Sequence, residues 1–135
     1  MPNFAGFTNN YLIAMMAGTW FPLHIEESDQ ASINLVHLPN REKLHMEEAQ
    51  KVWIMVPPNL SHHVEKLLQL LVPEEEQCCS NFIAHRSILI NPDILTRFGI
   101  DYYVGAQNEG EFTVVLPRAY HTGMIFIIGI ALTFY

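Results

Sequence analysis

Half of the 135 residues are apolar and only 16% are charged, which suits one extensive core, leaves no length for two domains and excludes a disordered chain. Seven basic against fourteen acidic side chains give a formal charge of -7, so no direct nucleic-acid binding is expected, while a basic peptide partner is electrostatically welcome. In chain order, MPNFAGFTNN lacks the positive region of a secretory signal, and YLIAMMAGTWFPL is short and broken by Gly18 and Pro22. An intracellular protein that does not enter a membrane is expected. ASINLVHL at 31-38 and KVWIMV at 51-56 are rich in β-branched and large apolar residues and read as strands, the second stopped by Pro57 and Pro58. Between them REKLHMEEAQ at 41-50 reads as a polar surface excursion. Val64, Leu67, Leu68 and Leu71 follow the spacing of a half-buried helix, with Ser61 as N-cap and Pro73 as stop. Cys78 and Cys79 are adjacent, which disfavours a disulfide and excludes a disulfide-stapled secreted domain. Asn91, Pro92 and Gly99 punctuate a second, short helix. EFTVVL at 111-116, between Gly110 and Pro117, predicts a third strand. The tail MIFIIGIALTFY is almost wholly apolar, without the alternation of a half-buried strand, and is short of the roughly 20 residues that span a bilayer. Strands on both sides of two helices predict a mainly antiparallel β structure with a helical insertion.

His24 and Glu26 leave the same face of an extended segment and can share one metal ion. A third donor would complete the two-histidine, one-carboxylate triad that leaves half of an iron octahedron open. His121, just after the third strand, is the best-placed candidate. On spacing alone a solvated surface pair stays open as the alternative.

The wider text carries more. TWFPLHIEESDQASINLVHL, KVWIMVPP, CSNFIAHRSILINPDILTRFGI and QNEGEFTVVLPRAYHTG, in this order and spacing, resemble the catalytic domain of the JmjC (Jumonji C-terminal) family, from about Gly6 to Gly123, and most of all its histone lysine demethylases. The resemblance implies a double-stranded β-helix, a jelly-roll or cupin-like barrel whose mouth holds iron(II) and 2-oxoglutarate. It implies His24, Glu26 and His121 as metal ligands and catalytic centre, Lys51 as the cation for the far carboxylate of 2-oxoglutarate, Asn34 as a polar support and Phe21 as an aromatic wall. Lys43, in the polar excursion, is the weaker rival of Lys51. Tyr11 matches a tyrosine of the substrate cleft, but Ile13 stands where the demethylase pattern has another, which puts the methylation-state preference in doubt. Cys79 and His85 match half of a zinc site, two ligands short of the usual four, so no zinc is expected.

The resemblance stops near Gly123. The expected division is a partial catalytic domain over 1-123 and an atypical apolar tail over 124-135, with the final core strand missing or replaced and an incomplete, poorly soluble barrel. The implied function is oxidative demethylation of methyl-lysine on histone tails, H3 in particular, by N-methyl hydroxylation and formaldehyde release, in the nucleus and on chromatin. A non-catalytic chromatin protein or truncated pseudoenzyme, and a JmjC protein hydroxylase, are the alternatives.

Overall fold

The computed structural model describes residues 10-37, 51-79, 81-126 and 129-134. Among the described residues, eight strands form two four-stranded sheets in which every pairing is antiparallel. The strands are β1 (Tyr11–Met15), β2 (Trp20–His24), β3 (Ser32–His37), β4 (Lys51–Val56), β5 (Tyr103–Gln107), β6 (Phe112–Val115), β7 (Tyr120–Ile125) and β8 (Gly129–Phe134). One sheet, here sheet A, has the order β1-β8-β3-β6, and the other, sheet B, has the order β2-β7-β4-β5. The chain thus crosses repeatedly from one sheet to the other, giving a mainly β, jelly-roll-like barrel. Between β4 and β5 lie α1 (Ser61–Leu71), α2 (Pro73–Cys78) and α3 (Pro92–Arg97), the expected helical insertion.

The three strands expected from the sequence are present as β3, β4 and β6, while the excursion at 41-50, with Lys43, lies outside the described residues. The α3 punctuation also holds: the Asn91 side chain accepts a hydrogen bond from the Asp93 backbone N–H, and Gly99 takes a positive φ of 66°. Two helix expectations need correction. Ser61 is the first residue of α1 and not its cap, because its hydroxyl donates to the carbonyls of Pro58 and Arg118. Leu71 is exposed at the helix end, and Val72 packs on the core in its place.

The largest apolar cluster lies outside the barrel. Leu23, Val56 and Tyr120 from sheet B pack against Val64, Leu67 and Leu68 of α1 and Leu95 of α3. Burial of side chains of this size stabilises the fold by about 1.5-3 kcal/mol each. Inside the barrel the apolar clusters are small: Met15, Val36, Ile125 and Ala131 form one, and Trp53, Val115 and Ala119 the other. The remaining interior is left to polar groups.

The tail departs most from expectation. Met124 and Ile125 complete β7, and Gly129–Phe134 runs as β8 between β1 and β3, paired on both sides. Its residues alternate between buried Gly129, Ala131 and Thr133 and half-buried Ile130, Leu132 and Phe134. The place of the final strand is therefore filled, and the open edge on which the incomplete barrel rested is closed. The alternation escapes a reading by hydropathy because the inward side chains are merely small.

Candidate metal centre and co-substrate cavity

β2 and β7 are neighbours in sheet B, and His24 is the register partner of His121. This places two imidazoles side by side, with ring centroids 4.1 Å apart, although they come from distant parts of the chain. A register shift between Phe21 and His24 marks a bulge in β2, which lets Phe21 and His24 both serve the barrel interior while Leu23 reaches the helical core. Glu26 follows in extended conformation, so its carboxylate joins the same face. Ligand atoms of His24, Glu26 and His121 all lie within 4.8 Å of one another, with His121 Nε2 3.7 Å from Glu26 Oε1.

Hydrogen bonding prepares each donor. A carbonyl oxygen can only accept, so the 2.7 Å contact of His24 Nδ1 with the Pro22 carbonyl, and the 3.0 Å contact of His121 Nδ1 with that of Ala119, place the ring proton on Nδ1. Each Nε2 then keeps its lone pair for a metal. Burial lowers both imidazole pKa values, that of His121 to about 3 with the His24 charge as the next cause, so both rings are neutral at pH 7. The Ser32 hydroxyl donates to Glu26 Oε1 at 2.6 Å and fixes the carboxylate. Two neutral imidazoles and one carboxylate on one side of a point fit a divalent ion of the iron type, with the opposite side open.

The three donors line a cavity of about 560 Å³ shared with Tyr11, Ile13, Phe21, Asn34, Lys51, Trp53, Arg86 and Thr133. Phe21 packs edge-on against Trp53 at 4.9 Å on one side of this cavity. A Cβ on Gly123 would lie 2.1 Å from the Val52 carbonyl oxygen and 2.6 Å from the Phe21 ring, so glycine is what lets this wall form. Lys51 is buried, its Nζ 3.8 Å from the Trp53 ring centre and 4.7 Å from that of Phe21, and it donates to Asn34 Oδ1 at 3.1 Å. Burial pushes the Lys51 ammonium down to about 7, against a smaller upward pull from Glu26. Asn34 Nδ2 in turn donates to the Thr133 hydroxyl at 2.7 Å, linking β4, β3 and β8. Gln107 accepts from Trp53 Nε1 and donates to the Asn34 backbone carbonyl, which holds the indole.

Of the residues singled out from sequence, His24, Glu26, His121, Lys51, Asn34, Phe21 and Tyr11 thus all border one cavity, with Ile13 beside Tyr11 on its rim. Cys79 packs on the helical core and His85 is exposed. Ser32, Gln107 and Thr133 were not anticipated. Ser32 and Asn34 did carry a signal, as polar residues on the inward face of an otherwise apolar strand.

An antiparallel jelly-roll barrel with a two-histidine, one-carboxylate cluster facing a cavity defines a class of mononuclear metal enzyme folds. The chain belongs to the JmjC domain family: the family model described as JmjC domain, hydroxylase, matches residues 11-134. It is 34% identical over 118 residues to the probable lysine-specific demethylase 4F of Homo sapiens, covering 87% of this chain and 17% of that protein. It is 35% identical over 118 residues to lysine-specific demethylase 4D of Rattus norvegicus and 33% identical over the same length to lysine-specific demethylase 4B of Mus musculus, covering 21% and 10% of those proteins. The chain thus spans between a tenth and about a fifth of the length of these relatives.

Proposed function

We propose that this chain is the catalytic part of an iron(II)- and 2-oxoglutarate-dependent dioxygenase that removes methyl groups from histone lysines, histone H3 above all, in the nucleus. The observation that carries the reading is the convergence of His24, Glu26 and His121 on the cavity that also contains buried Lys51. JmjC hydroxylases generally depend on iron(II) and 2-oxoglutarate, and the names of the relatives point to methylated lysine. When bound, the iron and its co-substrate supply the oxidation of a C–H bond by dioxygen.

The protein's own residues do the rest. His24, Glu26 and His121 hold the ion from one side, and their hydrogen bonds to Pro22, Ala119 and Ser32 keep the donors in the binding state. Lys51 takes the far carboxylate of 2-oxoglutarate, with Asn34 and Thr133 holding the ammonium in line. Phe21 and Trp53 exclude water around that ion pair and so strengthen it. Tyr11, on β1, lines the wall where the substrate side chain enters. With iron and 2-oxoglutarate held by these residues, the chemistry supplied would hydroxylate the N-methyl carbon at the expense of dioxygen and 2-oxoglutarate, with succinate, carbon dioxide and formaldehyde as the products to be assayed.

Ile13 favours one second reading. It lines the cavity beside Tyr11 and offers neither hydroxyl nor aromatic face to a methylammonium, which suits hydroxylation of an uncharged side chain by the same chemistry. Assaying succinate and formaldehyde over a panel of methylated histone peptides separates the readings. Both products together support demethylation. Succinate with a peptide heavier by one oxygen, and no formaldehyde, supports the hydroxylase, and neither product from any peptide supports a non-catalytic protein.

A further inference from the structure

Glu26 lies beyond the end of β2, so the path of the turn that follows it decides where its carboxylate sits. That turn, Glu27–Asp29, contains no glycine, yet Ser28 and Asp29 both adopt a φ of 54°. Side chains other than glycine resist this left-handed region, so two in succession persist only when contacts from outside hold them. Among the described residues the other positive-φ positions occupied by residues other than glycine are Arg86 and Arg118, and both arginines grip this turn. Arg86 Nη2 meets Glu27 Oε1 at 2.6 Å, and Arg118 Nη1 meets Asp29 Oδ2 at 3.0 Å.

Arg118 reaches further. It sits in the turn just before β7, three residues ahead of His121. Its carbonyl accepts the Ser61 hydroxyl at 2.7 Å, and its Nη2 lies 3.5 Å from Glu65 Oε1, a carboxylate that also takes the hydroxyl of Tyr120. One side chain therefore ties the turn after one ligand to the strand bearing another and to α1 behind both. Its partners are 45% and 36% exposed and it is itself 47% exposed, so these pairs add little to global stability. Their geometric consequence is larger, because the turn they hold is strained.

We infer that Arg118 is a positioning residue that sets Glu26 in register with His121, so that metal retention depends on an exposed ion pair outside the donor set. The inference rests on the metal reading given above. Manganese(II), titrated calorimetrically into the whole chain, tests it, together with melting of the metal-free protein. Arg118→Gln and Asp29→Asn should each weaken manganese binding by about tenfold, the lower end of what supporting contacts around metal ligands contribute. The double variant should lose no more than Arg118→Gln alone, since the contact that Asp29→Asn removes is already gone in it. The melting temperature of the metal-free protein should stay unchanged. Unaltered manganese affinity, additive losses, or losses matched by a fall in metal-free melting temperature would each overturn the inference while leaving the metal centre intact. A wild-type chain that binds no manganese would remove the metal centre and the inference with it.

Discussion

The two sheets of the barrel do different work. Sheet B supplies His24, His121, Lys51 and Trp53, and its outer face is cushioned by α1 and α3. Sheet A supplies the supporting polar groups Ser32, Asn34 and Thr133, and its outer face carries Leu12, Ile33, Phe112 and Val114 exposed. Two apolar rows run across that face, Leu12–Leu132–Leu35–Phe112 and Phe134–Ile33–Val114. An antiparallel sheet with one wet face ordinarily alternates apolar and polar residues, and sheet A does not. The contrast is one of emphasis: both histidines and Lys51 stand on the sheet that the helices brace, while the side chains that hold Glu26 and Lys51, Ser32 and Asn34, stand opposite.

Substitutions rank the two sheets. His121→Ala, in the middle of sheet B, should abolish measurable manganese binding in calorimetry, because one of three protein donors disappears. Unchanged affinity would remove His121 from the centre.

Lys51→Ala should weaken 2-oxoglutarate binding about a hundredfold or more, since stripping one partner from a buried ion pair costs roughly 3-5 kcal/mol. Its titration adds a pH signature. With the ammonium held near 7, the charged form that attracts the co-substrate is fully present below that value and lost above it, so affinity should fall as pH rises through 7. The metal-free fold behaves oppositely: between about 7 and 10.5 the unfolded chain holds a proton on Lys51 that the folded chain has released, and stability should rise over that window. Titrations at several pH values, with Lys51→Met as the flat control, check both signs. If Lys51→Ala binds normally while Lys43→Ala does not, the assignment passes to Lys43.

Leu68→Ala, in the cushion behind sheet B, should cost about 2-5 kcal/mol in urea unfolding, whereas Phe112→Ser on the bare face of sheet A should shift stability by about 0.5 kcal/mol or less. Equal losses would erase the distinction between the sheets. The mildest effect on the centre is expected for Ser32→Ala, a supporting residue of sheet A: about tenfold weaker manganese binding with the donor set intact. A loss as large as that of His121→Ala would show that support and donation are not divided between the sheets.

This division also explains what the sequence made legible. β3 and β4 stood out because they are runs of β-branched and large apolar residues, the second stopped by Pro57 and Pro58, and α3 because Asn91, Pro92 and Gly99 mark its ends. β1 did not, since Tyr11, Ile13 and Met15 face the cavity while Leu12 lies on the bare outer surface, leaving an apolar run without period. β5 is exposed at a sheet edge and interrupted by Gly105. His24 and Glu26 were recognisable as a pair from their spacing, but His121 joined them only through the motif around it. The contribution of Arg118 was invisible, because it depends on backbone angles and on carboxylates 89 and 53 positions away along the chain.

The central position of β8 has a kinetic consequence. Among the described strands β1 hydrogen-bonds to β8 and to no other, and β8 separates it from β3. The cavity wall bearing Tyr11 therefore cannot be seated when Tyr11 leaves the ribosome, and must wait for a strand made more than a hundred codons later. Pairings this distant along the chain fold slowly, typically over milliseconds to seconds, and leave early strands exposed meanwhile. In sheet B the pair β4 and β5 and the helices between them can consolidate earlier on the nascent chain, but among the described strands β2 pairs only with β7, so His24 meets His121 almost as late as Tyr11 meets its partner.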